Sequence, residues 1–390
     1  MKTIASILIL FVLAAVSLPA CAQTAATPPA AKPQTTVAGA TTPSLAAWEQ
    51  DWNSTLAEAR KEGTVSVYAL WGSDTRTSLT QAFKDKYGIN LEFTPFARGA
   101  EIAAKAQAEK NAGVYAVDMF GAGGPSLVTG LKPIGLLGPI EPLLVLPEVK
   151  DAKLWNGGKL PFLDKDKQAA GLIAAVQRYI MYNIDLVKKG EITTYQDALK
   201  PQYKGKITIS DPTVTGTGNA LMTHLAVDIG NVESARDFLT KLIKDQGVVI
   251  QRDNRLNVET VARGKYAIAL APHTDAITEF FKLGAPIDVV FVKEGAFVSP
   301  GSGAVGMPTK LAHPNAGKVF LNWLMSKEGQ MVFVKSFGFP SLRADVSTEG
   351  INPIFLAQPG EKLFLTTEEY ILFQDKMLGI VADVIQAASK

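Results

Sequence analysis

One cysteine, Cys21, occurs in 390 residues, so the chain has no intrachain disulfide and must draw its stability from packing. Histidine is nearly as scarce, at three. His224, His273 and His313 lie too far apart for an H-x-x-x-H pair or any His/Cys metal spacing, so no metal ligand and no cofactor is assigned. Lys and Arg form no run and the formal charge is only +2, which argues against nucleic acid as a partner. Beyond residue 16 no apolar stretch approaches the roughly 20 residues a membrane-spanning helix needs. There is no G-x-S-x-G elbow, no Ser-x-x-Lys set in context and no His-rich site, so no catalytic residue is assigned and the chain reads as a non-enzyme. No repeat of solenoid period appears.

What is present begins at the N-terminus. Lys2, an apolar run from Ile4 to Val16 and then Leu18-Pro19-Ala20-Cys21 have the layout of a secretory signal over residues 1–20. A lone Cys directly after such a core resembles a bacterial lipobox, which implies lipidation at Cys21 and an exported, membrane-anchored protein facing the periplasm or the cell exterior. Residues 21–43 are Ala, Thr, Pro and Gln with hardly a charge, a composition that buries no core and serves as a tether. The whole chain is 47% apolar, and the remainder is long enough for about two domains with a sizeable core.

From residue 44 onward, strand-like and helix-like runs alternate. Trp48, Trp52, Leu56 and Ala59 recur at helical spacing until Gly63, and Thr64 to Leu70 reads as a buried strand. A helix bearing Leu79, Phe83 and Tyr87, a strand Ile89 to Phe93, a helix after Arg98-Gly99 and a strand Val117 to Phe120 follow. The alternation predicts a mainly parallel sheet covered on both faces. Leu172 to Asn183 reads as one long strand. A second series then runs through Ile207 to Ser210, helix Val232 to Lys244, strand Val248 to Ile250, helix Asn254 to Arg263 and strand Tyr266 to Ala271. Ile287 to Val292, Gly303 to Met307, helices Asn315 to Met325 and Glu328 to Lys335, and a final helix from Thr366 to Ala388 complete the chain.

In sheets of this kind ligands sit beyond the carboxyl ends of the strands. The loops there carry Trp71-Gly72-Ser73, Arg98-Gly99 and Gly121 to Gly124. The stretch Asp211 to Ala226 is the most suggestive: Thr213, Thr215, Gly216, Thr217 and Gly218 stand between a short strand and an apolar helix, a natural anion cradle of free N–H groups and hydroxyls. The competing reading is that Thr217 simply caps the helix.

The order of motifs resembles the periplasmic solute-binding proteins of ABC importers, in the ferric-binding, thiamine and aminoethylphosphonate branch. The residues that carry it are Val67-Tyr68, Gln177-Arg178 to Tyr182-Asn183, Tyr203 to Ile207 before Asp211-Pro212, Val261 to Gly264, Ser302 to Ala304, and Phe320 to Gln330 with Arg343-Ala344-Asp345. The resemblance covers nearly all of Thr64 to Pro353. It implies an α/β fold of the periplasmic-binding-protein type II, with two discontinuous lobes and a central ligand cleft. Residues 44–177 plus 300–335 would form the first lobe and 178–299 plus 336–390 the second, the chain crossing near Tyr179 and again near Ser299.

By that resemblance a loop matching Thr215-Gly216-Thr217, with Asn254, holds an anion. The adjacent tyrosines that iron requires are missing, because the matching positions hold Thr274 and Asp275 after His273. The expected ligand is therefore a small organic or oxyanionic solute, contacted by Gly72, Ser73, Arg98, Gly99, Gly123, Arg178, Thr215, Gly216, Thr217, Asn254, His273 and Thr274, with Trp71 and Tyr179 stacking on its apolar part. The resemblance further implies a monomer that delivers its solute to a membrane permease. Alternatives are a loaded sensor for a membrane receptor, or a binder of ferric or other metal complexes.

Overall fold

The computed structural model describes residues 45–388; the expected signal, Cys21 and the tether lie outside the described residues. The chain opens with α1 (Ala47–Glu62), which stops where Gly63 adopts φ 74° and its N–H bonds back to the Ala59 carbonyl. Then come β1 (Thr64–Ala69), α2 (Ser73–Tyr87), β2 (Asn90–Pro95), α3 (Gly99–Asn111) and β3 (Met119–Ala122), the alternation read from the sequence. Further on are β4 (Leu137–Gly138), α4 (Pro147–Lys150), β5 (Ala169–Gly171), β6 (Ala175–Val176) and β7 (Ile180–Asn183). The second series holds β8 (Ile207–Ser210), α5 (Thr217–His224), α6 (Val232–Lys244), β9 (Val249–Gln251), α7 (Asn254–Ala262), β10 (Ile268–Leu270), α8 (Thr274–Lys282) and β11 (Ile287–Val289). The chain ends with β12 (Ala296–Ser299), β13 (Ala304–Pro308), α9 (Pro314–Met325), α10 (Lys327–Phe337), β14 (Leu363–Leu365) and α11 (Glu368–Ala388).

Three sheets form from these strands. The first has the order β2-β1-β3-β13-β4, with β5 also paired to β13; the second has the order β11-β7-β10-β8-β9. Each keeps three adjacent strands parallel, as βαβ connections dictate, and adds one strand running against the rest, β13 in the first, paired with β3, β4 and β5, and β7 in the second, paired with β10 and β11. The antiparallel strands are largely those next to the crossings, where the chain enters or returns to a sheet rather than winding through it.

The expected single strand from Leu172 to Asn183 is broken. β6 belongs to a third, three-stranded sheet β14-β12-β6, whereas β7 belongs to the second sheet. A strand cannot stay in one ladder while changing sheets, so the backbone turns between Val176 and Ile180. The two crossings run side by side there, with Val298 opposite Val176 and Ser299 opposite Ala175.

Two bodies of core flank the crossings. Trp71, Phe83, Phe320, Trp323 and Phe333 centre the first, and Tyr195, Phe238, Leu239, Met377 and Val381 the second. The first body extends past the expected limit at residue 335. Phe337, Phe339, Leu342 and Val346 pack on its core, Ile173 pairs with Ser341, and the buried Arg343 bonds to Asp345 and to the Met325 carbonyl. α11 straddles the two: Tyr370, Met377 and Val384 pack with the second body while Ile371 packs with the β3 side of the first. No helix among the described residues is long and apolar enough to cross a membrane.

Candidate functional site

A cleft of about 710 Å³ opens beside the crossings, bounded by both bodies. From the first body it receives the N-terminal turn of α2 at Gly72, Ser73, Asp74 and Thr75, and Gly124-Pro125 after β3. From the second it receives the N-terminal ends of α5 (Thr215 to Thr217), α7 (Asn254) and α8 (His273 to Asp275). Ser299 to Ser302 of the return crossing and Tyr370, Ile371 and Gln374 of α11 complete the wall.

The helix ends facing the cleft share a property. α2, α5 and α8 start at Gly72, Gly216 and His273, and none has a side-chain cap. Of the helices starting elsewhere, Asn231 caps α6, Ser326 caps α10, and Glu62 accepts from the N–H groups of Asn315 and Ala316 at the start of α9. α1, α3 and α4 also begin without a side-chain cap, so what sets the cleft apart is that three uncapped ends converge there. Unfilled first-turn N–H groups carry the positive end of the helix dipole, and three such ends meet at one cleft. α7 is the exception on the cleft side, because Asp253 accepts from the Leu256 N–H.

The turn before α5 has a geometry that the sequence does not report. Gly216, not Thr217, is the N-cap of α5, so the competing reading of Thr217 as a capping residue does not hold. The Thr217 hydroxyl instead donates to the Ala271 carbonyl at 2.7 Å. Ala271 adopts φ 48°, a left-handed backbone that costs a non-glycine residue on the order of 1–3 kcal/mol. Its N–H donates to the Tyr179 carbonyl at 2.8 Å, so the strained residue ties the start of α5 to the β7 crossing. Thr213 and Asp211 satisfy each other through the Thr213 N–H and hydroxyl. Thr215 stays exposed at the cleft.

Of the residues expected to contact a ligand, the structure gathers Gly72, Ser73, Tyr179, Thr215, Gly216, Thr217, Asn254, His273 and Thr274 around this cleft. It places five elsewhere. Trp71 is buried, packs on Phe93 and Phe333, and its indole N–H donates to the Ser302 carbonyl at 3.0 Å, which fastens the return crossing to the first body. Arg178 is buried in an ion pair with Glu361 and donates to the Ile354 and Leu356 carbonyls, so every face of its fork is engaged. Arg98 is exposed at the start of α3 and is not among the residues that line the cleft. Gly99 meets Ser126, where a Cβ would lie 2.1 Å from the hydroxyl oxygen, and Gly123 packs beside the Gly301 carbonyl. These two glycines serve close packing behind the wall.

Tyr179 is nearly enclosed, with the Tyr370 hydroxyl beside its own. Burial pushes its pKa well above the ordinary tyrosine range. His224 and His313 are engaged through Nδ1 with Asp228 at 2.7 Å and Asp118 at 2.9 Å, and neither lines the cleft. Among the described residues no three His, Cys, Asp or Glu side chains gather in a way that could hold a metal ion.

The sequence reading missed the floor of the cleft: Phe297, Phe337, Phe339, Tyr370 and Gln374. The only available signal was polar Gln374 and the Tyr370 hydroxyl among the apolar residues of α11, a weak one in a terminal helix.

Residues 78–355 match a family model described as bacterial extracellular solute-binding protein. An uncharacterized protein of Haemophilus influenzae is 26% identical over 282 residues, covering 70% of this chain and 75% of its own length. Among solved structures, the periplasmic binding protein AfuA of Actinobacillus pleuropneumoniae, with fructose-6-phosphate bound, aligns at TM-score 0.63 and 19% identity over 83% of this chain and 99% of its own. FutA (IdiA) of Trichodesmium, in complex with iron and citrate, aligns at TM-score 0.67 and 19% identity over the same shares. At that identity the two structures speak to the fold: mixed α/β with several sheets, of the periplasmic-binding-protein kind.

Proposed function

The chain belongs to the bacterial extracellular solute-binding proteins, and from that premise we propose that it captures a small solute bearing an anionic group and passes it unaltered to the permease of an ABC importer. The observation that carries the anionic part is the meeting of three uncapped helix ends, from α2 on one side and α5 and α8 on the other, at one cleft. A negative group there satisfies N–H donors that the protein leaves open and is favoured by the dipoles behind them. Backbone at Gly72, Gly216 and Thr274, with the Ser73, Thr215 and Thr217 side chains, Asn254 and His273, forms the contact set, and Tyr179 closes the wall.

Because the donors come from both bodies, a solute gains its full set of bonds only when the cleft closes on it. Closure is then driven by the difference in affinity between the two states, with the paired crossings as the pivot. The expected lipid at Cys21 and the tether of residues 21–43 would hold this body near the membrane on the exported side, as a monomer.

Thermal unfolding of the full chain in the presence of single carboxylates, phosphonates, phosphates and sulfonates tests the proposal. A bound solute at a hundredfold its Kd adds about 2.7 kcal/mol, or roughly 4 °C for a body of this size. A stabilising subset whose effect is lost in Thr215→Ala supports the reading. The absence of any shift across all four classes would sink it.

A further inference from the structure

The rim of the cleft is polar, but its floor is aromatic, and among the described residues no Lys or Arg accompanies it. Phe337 and Phe339 flank Gly338 at the end of α10, are half-buried, and belong to the packing of the first body. Phe297 of β12 and Tyr370 of α11 belong to the second, and their rings stack with centroids 4.2 Å apart and planes at 19°. Tyr370 is locked in place by its hydroxyl, which donates to the Ala220 carbonyl at 2.8 Å. All four rings line the cleft.

Among the described residues of the wall there is no Lys or Arg, and the carboxylates are Asp74 and Asp275. A phosphate dianion or a tricarboxylate would find no Lys or Arg here, only the imidazole of His273, and would face two like charges. Each helix end offers only about half a positive charge, so the three together offer about one and a half, and with Asp74 and Asp275 in the same wall a singly charged group is favoured over a multiply charged one. The half-buried Phe337 and Phe339, by contrast, leave apolar surface to be covered by a ring, while Phe297 and Tyr370, each 3% exposed and stacked on one another, add only a narrow apolar border. The volume of about 710 Å³ is well within the range of pockets that hold an organic molecule and far larger than one oxyanion needs.

We propose that the solute is a ring-bearing organic mono-acid. Its planar ring covers the open faces of Phe337 and Phe339, and its one acidic group meets the open ends of α2, α5 and α8. The assignment rests on the reading that the cleft binds a solute through those helix ends.

The test uses matched probes on the full chain by titration calorimetry: benzoate against acetate and phenylphosphonate against methylphosphonate, with citrate and inorganic phosphate as multiply charged comparators. The ring-bearing acid of each pair binds at least about tenfold more tightly. Phe337→Leu and Phe339→Leu, which keep apolar bulk but remove the ring, erase that preference and leave the ring-free acid unchanged, while Gly216→Asp weakens both members of each pair. Equal binding within pairs, or tightest binding of citrate or phosphate, overturns the ring assignment and leaves the solute-binding reading standing. Binding that Gly216→Asp leaves untouched removes the helix-end site, and the mono-acid assignment with it. No binding of any probe at millimolar concentration overturns both.

Discussion

Gly216 provides the sharpest test of how the cleft works, because a side chain can be added there without disturbing the fold. Its φ of 166° and ψ of −165° are extended backbone that any residue adopts, and a Cβ built on it meets no atom within 4 Å. Asp at this position becomes the missing N-cap of α5. Its carboxylate accepts from the first-turn N–H groups that are otherwise open, so it stands where the acidic group of a solute would. Asp in place of Gly at an N-cap adds a few tenths of a kcal/mol, and its charge against the dipole 0.3–1 more, so the empty protein gains about 1 kcal/mol, or roughly 1–2 °C in Tm. An acidic solute loses charge-assisted hydrogen bonds and meets a like charge; together these cost about 2–4 kcal/mol, a loss of roughly 30- to 700-fold in Kd. Calorimetric titration and thermal melts of wild type, Gly216→Asp and the uncharged Gly216→Ser separate the effects, with Ser falling between. If the Asp variant gains stability yet binds acids with the wild-type Kd, the open helix end is not where the solute sits.

Other expectations follow from particular residues. Arg178→Met breaks a buried ion pair with Glu361 and frees two carbonyls, so Tm should fall by an amount reflecting about 3–5 kcal/mol, while the Kd of the folded protein for a bound acid stays within about threefold; a large loss of affinity at unchanged Tm would restore Arg178 to the ligand site. Thr217→Val removes the donor to the strained Ala271 carbonyl and should cost about 1 kcal/mol in urea unfolding, whereas Thr215→Ala, exposed and without such a partner, should leave stability unchanged and weaken acid binding. Asp197 accepts from the Thr193 and Thr194 N–H groups and pairs with Lys200, which holds its carboxyl well below the usual range. A depressed folded pKa stabilises above the unfolded value of about 4 and loses that stabilisation as pH falls through it toward the folded value. The stability gap between wild type and Asp197→Asn should therefore be constant from about pH 5 to 8 and narrow below about pH 4; a gap that widens in acid refutes the assignment.

The sequence alone determined the α/β alternation, most helix positions and the small-residue junction before α5, because each rests on local chemistry: apolar spacing, terminating glycines such as Gly63, and small residues at strand-to-helix junctions. Resemblance to a family added the two crossings. Several features were beyond local reading. Trp71 and Arg178 looked like ligand contacts because both types stack and pair with ligands, yet their partners, Ser302 and Glu361, lie 231 and 183 residues away in the chain. The break in the run Leu172 to Asn183 depends on β12 and β14 supplying a third sheet, which no spacing within the run reports. The aromatic floor draws Phe297, Phe337, Phe339 and Tyr370 from segments whose periodicity marks them only as core. Which rings and helix ends face one cleft was decided by the tertiary structure, since burial and open hydrogen-bonding capacity are properties of packed surfaces and not of the residues taken singly.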